Sequence, residues 1–195
     1  TNTWLNLAKA LELALNDGCS FLTGERMAPS WNELGLRDET DAYLRLEYVF
    51  YKVLDSILPE MAQAGNDCAR VLGTFKPTPF CSSVMEGLTT GRDMRDPKAP
   101  GVSYAGNGCL IHGLSVVSDS LNAVKQALAC EQTTAPALRS ALKADFKNSE
   151  SLREFLARQD RFGNGLPDAD ALAARIVSNV SRRISGLRNA AGRSE

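Results

Sequence analysis

The sequence predicts a mostly helical α/β chain with little strand, and three observations carry that expectation. Apolar residues recur at helical spacing over many turns from Asp38 to about Val71. Glycines at 106 and 108 interrupt the one segment of strand-like composition, Val102 to His112, and glycines at 101 and 113 bound it. Prolines at 77 and 79 remove two backbone donors and hold Thr78 extended, so that step joins elements and continues neither a helix nor a central strand.

Taken in order, residues 3–16 place Trp4, Leu7, Leu11 and Leu15 on one helical face, and Asp17-Gly18 ends the segment. A loop runs through Pro29. The segment around 42–70 is expected to be the longest helix, with Leu46, Val49, Phe50, Val53, Leu54, Ile57, Leu58 and Met61 in register, Arg45, Lys52 and Asp55 opposite, and a kink at Pro59. After the Pro-Thr-Pro junction a short helix is expected at 80–90, then a polar loop from Arg92 to Pro100. Residues 102–112 suit a short irregular strand. Ser118 or Asp119 is read as the cap of a helix reaching about Cys130, with Leu121, Val124, Lys125 and Leu128 in register. Three more helices are expected at about 135–145, 149–158 and 168–187; the last opens on Asp168 and Asp170 and closes on arginines before Gly186, the charge order a helix dipole prefers.

Composition excludes several function classes. The 195 residues can bury one good core, and 44% apolar with 23% charged residues is ordinary globular usage. A formal net charge of -1 gives no bulk field for nucleic acid or an anionic membrane surface, and Arg182, Arg183, Arg188 and Arg193 read as a solvated helix end. No apolar run approaches the roughly 20 residues that cross a bilayer. Cysteines at 19, 68, 81, 109 and 130 are odd in number, none is paired at two-residue spacing, and His112 is the one histidine, so neither a disulfide framework nor a zinc site is expected. Reduced thiols in a cytoplasmic protein are the expectation, and the Thr start reads as mid-protein.

The ordered motifs carry a resemblance. Pro77-Thr78-Pro79-Phe80, a short helix ending near Gly91-Arg92-Asp93, a Gly-x-x-Tyr-x-x-x-Gly loop at 101–108 and the helix Val-x-Asp-Ser-Leu-x-Ala-x-Lys at 117–125 resemble the pyruvate formate-lyase domain of glycyl radical enzymes. Leu11 to Gly24 resembles the helix and loop after that family's thiyl cysteine, and Leu152 to Asp170 resembles the spacing that closes its next helix pair. The resemblance implies part of a ten-stranded α/β barrel, lying after the thiyl-cysteine loop and before the glycyl-radical loop. It implies a parent lyase, dehydratase or decarboxylase that cleaves a small polar metabolite by radical chemistry, with a glycyl radical installed by a radical S-adenosylmethionine activating enzyme, and a homodimer at full length. No cofactor is expected on these residues themselves.

Neither radical motif of that family is present. Cys19 and Cys109 each follow a glycine, but Phe21 and Ile111 stand where Gly-Cys-x-Glu needs glutamate. Arg183-Ile184-Ser185-Gly186-Leu187 imitates the radical-glycine motif, whereas Ile184 continues the stripe of Leu172, Ile176 and Val180, so Gly186 reads as a helix stop. These residues are therefore expected to be catalytically silent alone. The resemblance offers Trp4, Cys19, Ser20, Thr78 and Phe80 as substrate-pocket candidates, each with plain packing as its alternative role. His112, between Ile111 and Gly113 with no acidic neighbour, reads as a hydrogen-bonded structural histidine; Tyr104 matches the aromatic of the family loop, with Ala105 where Asn is common. A free-standing helical binding or scaffold protein derived from the domain is the alternative.

Overall fold

A computed structural model describes residues 3–35, 42–96, 101–103, 109–190 and 192. The chain forms two compact units, one made of Thr1–Leu5, Ile57–Ile111 and Val180–Glu195, the other of Asn6–Ser56 and His112–Asn179. The elements are β1 (Thr3–Asn6), α1 (Leu7–Leu15), α2 (Ala42–Phe75), α3 (Pro79–Val84), α4 (Gly87–Thr90), β2 (Cys109–His112), α5 (Leu114–Ala129), α6 (Ala135–Lys143), α7 (Glu150–Ala157) and α8 (Pro167–Ile184). All four crossings between units fall inside elements: within β1, α2, β2 and α8.

Helical periodicity is realised most fully in α2, whose 34 residues continue through Pro59. Pro59 cannot donate to the carbonyl one turn back, and the passage from one unit to the other, Ser56 to Ile57, lies in that turn. In the first unit β1 and β2 form a two-stranded sheet. Leu5, Leu58, Val102, Val180 and Ile184 are buried there, and the Asn66 side chain donates to the Arg188 carbonyl at 2.9 Å. In the second unit α1 packs on α5 and α5 on α7, around Leu7, Leu11, Phe50, Val53, Val117, Leu121 and Ile176. Polar groups fix the register of that packing: Asn122 donates to the Asp160 carbonyl at 2.9 Å, and Asp119 accepts the Phe162 amide at 2.8 Å.

Four boundaries differ from the sequence expectation. Residues 3–6 are strand, not the start of a helix, because Asn6 caps α1 by accepting the Lys9 amide at 3.3 Å; Trp4 therefore lies on β1, largely exposed, away from the Leu7–Leu11 stripe. The segment 80–90 is two helices. Gly87 passes so close to the Ser82 carbonyl that a Cβ would stand 2.4 Å from its oxygen, and Met85 leaves helical geometry before it. Helix α5 opens at Leu114 after a left-handed Gly113, so Ser118 is no cap; it is fully buried and donates to the Ala169 carbonyl at 3.4 Å. At the end of α8, Gly186 follows Ile184 without the left-handed conformation of a glycine stop, and the turn closes by the Leu187 amide on the Ile184 carbonyl at 2.8 Å. Strand forms at 109–112; residues 104–108, with Tyr104, lie outside the described residues.

Candidate functional site

In the first unit the chemistry gathers at the Pro-Thr-Pro junction. Pro77 and Pro79 have no amide hydrogen, so Thr78 holds the one donor of the three, and it points that N–H at Asp93 Oδ2 at 2.7 Å. The Ser82 hydroxyl, one turn on, lies 2.8 Å from the Thr78 carbonyl and 3.0 Å from the same carboxylate, and accepts the Met94 amide at 2.9 Å. Asp93 Oδ1 accepts the Arg95 amide at 2.8 Å. Partial burial works to raise the Asp93 pKa, but the Arg95 and Thr78 amides and the Ser82 and Thr78 hydroxyls outweigh it and hold the carboxyl below its ordinary range. With its lone pairs taken, Asp93 is a clamp on the junction and has no room to serve as a base.

The clamp braces the start of α3. Pro79 opens that helix and Phe80, its second residue, is 79% exposed, so the junction is held rigidly while its aromatic side chain stands uncovered. Trp4 in the same unit is 70% exposed. Thr78 and Phe80 are thus close together on a braced turn.

Cys19 and Ser20 belong to the second unit, in a loop that returns on α1. Asp17 and Gly18 take left-handed backbone (φ 54° and 77°), and the Gly18 carbonyl receives the Met27 and Ala28 amides at 2.8 and 3.1 Å. Cys19 pairs with Arg26 as an isolated antiparallel bridge, its thiol 3.8 Å from the Asp17 carbonyl. Ser20 is buried at 2% exposure, and its hydroxyl meets Lys9 Nζ at 2.8 Å and Glu12 Oε1 at 3.3 Å. Glu12 also accepts Lys9 Nζ at 2.7 Å and the Phe21 amide at 2.8 Å. Burial works to raise the Glu12 pKa; the hydrogen bond and charge of Lys9, with the Phe21 amide, outweigh it and lower it.

Ser20 is therefore committed to holding the loop, and its oxygen is no free nucleophile. All five cysteines are free thiols, and no group of three or more His, Cys, Asp or Glu that could hold a metal exists among the described residues. No helix among them is long and apolar enough to cross a membrane.

Sequence reasoning named Asp93 only as the close of a motif and passed over Glu12, Trp31 and Arg139. The Lys9–Glu12 spacing of three was a readable pairing signal. Trp31 was not: its ring nitrogen donates to the Ala14 carbonyl at 2.9 Å and its face carries Arg139 at 4.8 Å, contacts that only the folded loop creates.

Comparison with known proteins agrees with the ordered motifs. Residues 1–194 match the family described as pyruvate formate lyase-like. A (2S)-3-sulfopropanediol dehydratase of Klebsiella oxytoca is 25% identical over 196 aligned positions, covering 97% of this chain and 23% of that protein. Among solved structures, the glycerol-bound B12-independent glycerol dehydratase of Clostridium butyricum superposes with a TM-score of 0.84 at 25% identity. A glycyl radical enzyme of Archaeoglobus fulgidus shares the fold, with a TM-score of 0.85 at 23% identity. In both structures 98% of this chain aligns with 24% of the other, so the chain spans about a quarter of the length of the proteins it matches. The chain belongs to the pyruvate formate lyase-like family of glycyl radical enzymes.

Proposed function

We propose that these residues are part of a glycyl radical dehydratase that eliminates a leaving group from a small polar metabolite, and that they supply wall and scaffold without either radical site. The observation that carries the reading is that the match runs the length of the chain, 98% of it at a TM-score of 0.84, against an enzyme described as a glycerol dehydratase. That similarity favours carbon–oxygen elimination over the acyl-transfer chemistry of the family's namesake. In this reading the segment lies in the ten-stranded barrel, between the thiyl-cysteine loop and the glycyl-radical loop. The parent works in the cytoplasm as a homodimer, after an activating enzyme has installed its radical.

Thr78, Phe80 and Trp4 are then candidates for the substrate wall, and Cys19 and Ser20 for the loop that supports it. The Asp93 clamp suits such a role, since a wall that discriminates among small polar substrates needs fixed backbone behind it. Ser20, with its hydroxyl spent on Lys9 and Glu12, acts through loop position only.

The test is anaerobic treatment with a radical S-adenosylmethionine activating enzyme, S-adenosylmethionine and reductant, followed by electron paramagnetic resonance. The longest reading frame containing these residues should give a glycyl doublet that survives Gly186→Ala, and consume a small diol. The 195 residues alone should give none. A doublet in the 195 residues that vanishes on Gly186→Ala would place the radical inside this segment and overturn the reading.

A further inference from the structure

The second unit contains a groove of about 1480 Å³ walled by the end of α1, the start of α2, and α5, α6 and α8. Small-molecule sites usually measure about 300–1,000 Å³. Its lining is mixed: Val49, Val124 and Leu138 form apolar floor, while five cationic side chains face two carboxylates, in a chain whose net charge is -1.

Most of the cations are not spent on counter-ions within the groove. Arg175 is held by Glu47 through two bonds of 3.1 Å. Lys125 and Lys143, exposed on α5 and α6, make no ion pair among the described residues. Arg139 is fixed in place, its plane over the Trp31 ring at 4.8 Å and its Nε donating to Asn16 Oδ1 at 3.3 Å, which leaves its terminal nitrogens free to take a carboxylate. A preorganised guanidinium and two unpaired ammoniums, lining a groove whose volume exceeds that of the usual small-molecule site, fit a polypeptide strand or helix carrying Asp or Glu beside Leu or Ala.

We propose that the groove seats an acidic, partly apolar segment of the same polypeptide, drawn from the part of the parent beyond these 195 residues. The inference rests on the reading of the chain as a portion of a longer glycyl radical enzyme, whose relatives are about four times as long.

Lysine acylation followed by mass spectrometry reads the seat directly. In the 195-residue protein Lys125 and Lys143 should acylate at the rate of ordinary surface lysines. In the longest reading frame both should be protected at least several-fold, and Lys125→Glu should return Lys143 most of the way to the unprotected rate. Equal rates in the two proteins overturn the proposal, as does a reading frame that ends with these residues. Protection that grows with the concentration of the 195-residue protein would assign the groove to a second copy, and equal protection by added pyrophosphate would assign it to a small anion; either result overturns it. A glycyl doublet with unprotected lysines sinks the seat alone, whereas protected lysines without any doublet sink the enzyme reading and leave the seat standing.

Discussion

Replacing Gly18 with alanine should be among the most damaging single-methyl changes in this chain, and its cost can be worked from two separable sources. The first is conformation: at φ 77° an L-residue pays about 1–2 kcal/mol for left-handed backbone. The second is contact, since the new Cβ would stand 2.2 Å from the Ala28 carbonyl oxygen and 2.8 Å from that of Pro29. Both are backbone atoms, so relief requires residues 27–29 to move away from Gly18, whose own carbonyl holds the Met27 and Ala28 amides. Losing those two bonds adds about 1 kcal/mol each. Together this is about 3–4 kcal/mol, or a fall in melting temperature of about 6–16 °C at this chain length. Gly24 isolates the first source: its φ is 73° and nothing lies within 4 Å of its would-be Cβ, so Gly24→Ala should cost only the conformational part, about 1–2 kcal/mol. Urea denaturation of both variants beside the parent sequence measures the difference. If Gly18→Ala costs no more than Gly24→Ala, the close approach of the loop to α1's end is wrong.

Asp93→Asn should loosen the Pro-Thr-Pro junction, raising proteolysis near 76–82 at neutral pH. Because the folded Asp93 pKa lies below its unfolded value, its stabilisation is present above the unfolded value and is lost as pH falls through the folded one; the gap between wild type and variant should close with acid, and a gap that widens would contradict the clamp. Glu12→Gln should show the same sign of pH dependence at the 16–31 loop, since its carboxyl is lowered as well. Arg139→Ala should cost about 0.5–1 kcal/mol by losing the stack on Trp31 and should shift indole emission in a Trp4→Phe background, an effect Arg182→Ala should not reproduce. Ser118→Ala should cost about 1 kcal/mol, its hydroxyl being fully buried on the Ala169 carbonyl, and Asp119→Ala should release the Phe162 amide with local amide exchange near 160–163.

Much of the helical skeleton was legible in the sequence because helices are written in local spacing. The stripe Leu46 to Leu58 predicted α2, and α6, α7 and α8 fall within a few residues of their expected bounds. What was not legible depended on distant partners. Strand β1 exists because β2, more than 100 residues later, pairs with it; without that partner Trp4 read as one more position on a helical face. Ser118 looked like a cap because caps and buried helix-contact serines are the same residue type in one dimension, and only the approach of Ala169 tells them apart. For the candidate site, the Pro-Thr-Pro turn was readable from proline chemistry, whereas Asp93 as its clamp was not: fifteen residues and two helices separate it from Thr78.

The crossings inside β1, α2, β2 and α8 bear on how this protein can be handled and how it can have diverged. A protease or a cloning boundary that tried to part the two units would find no slack linker among those crossings; each cut would sever a strand or a helical ladder. Neither unit is a single stretch of sequence, so neither can be excised, swapped or circularly joined as a module by moving one segment. An exchange between relatives that kept either unit whole would have to carry all of its separate stretches together, since no single segment contains one.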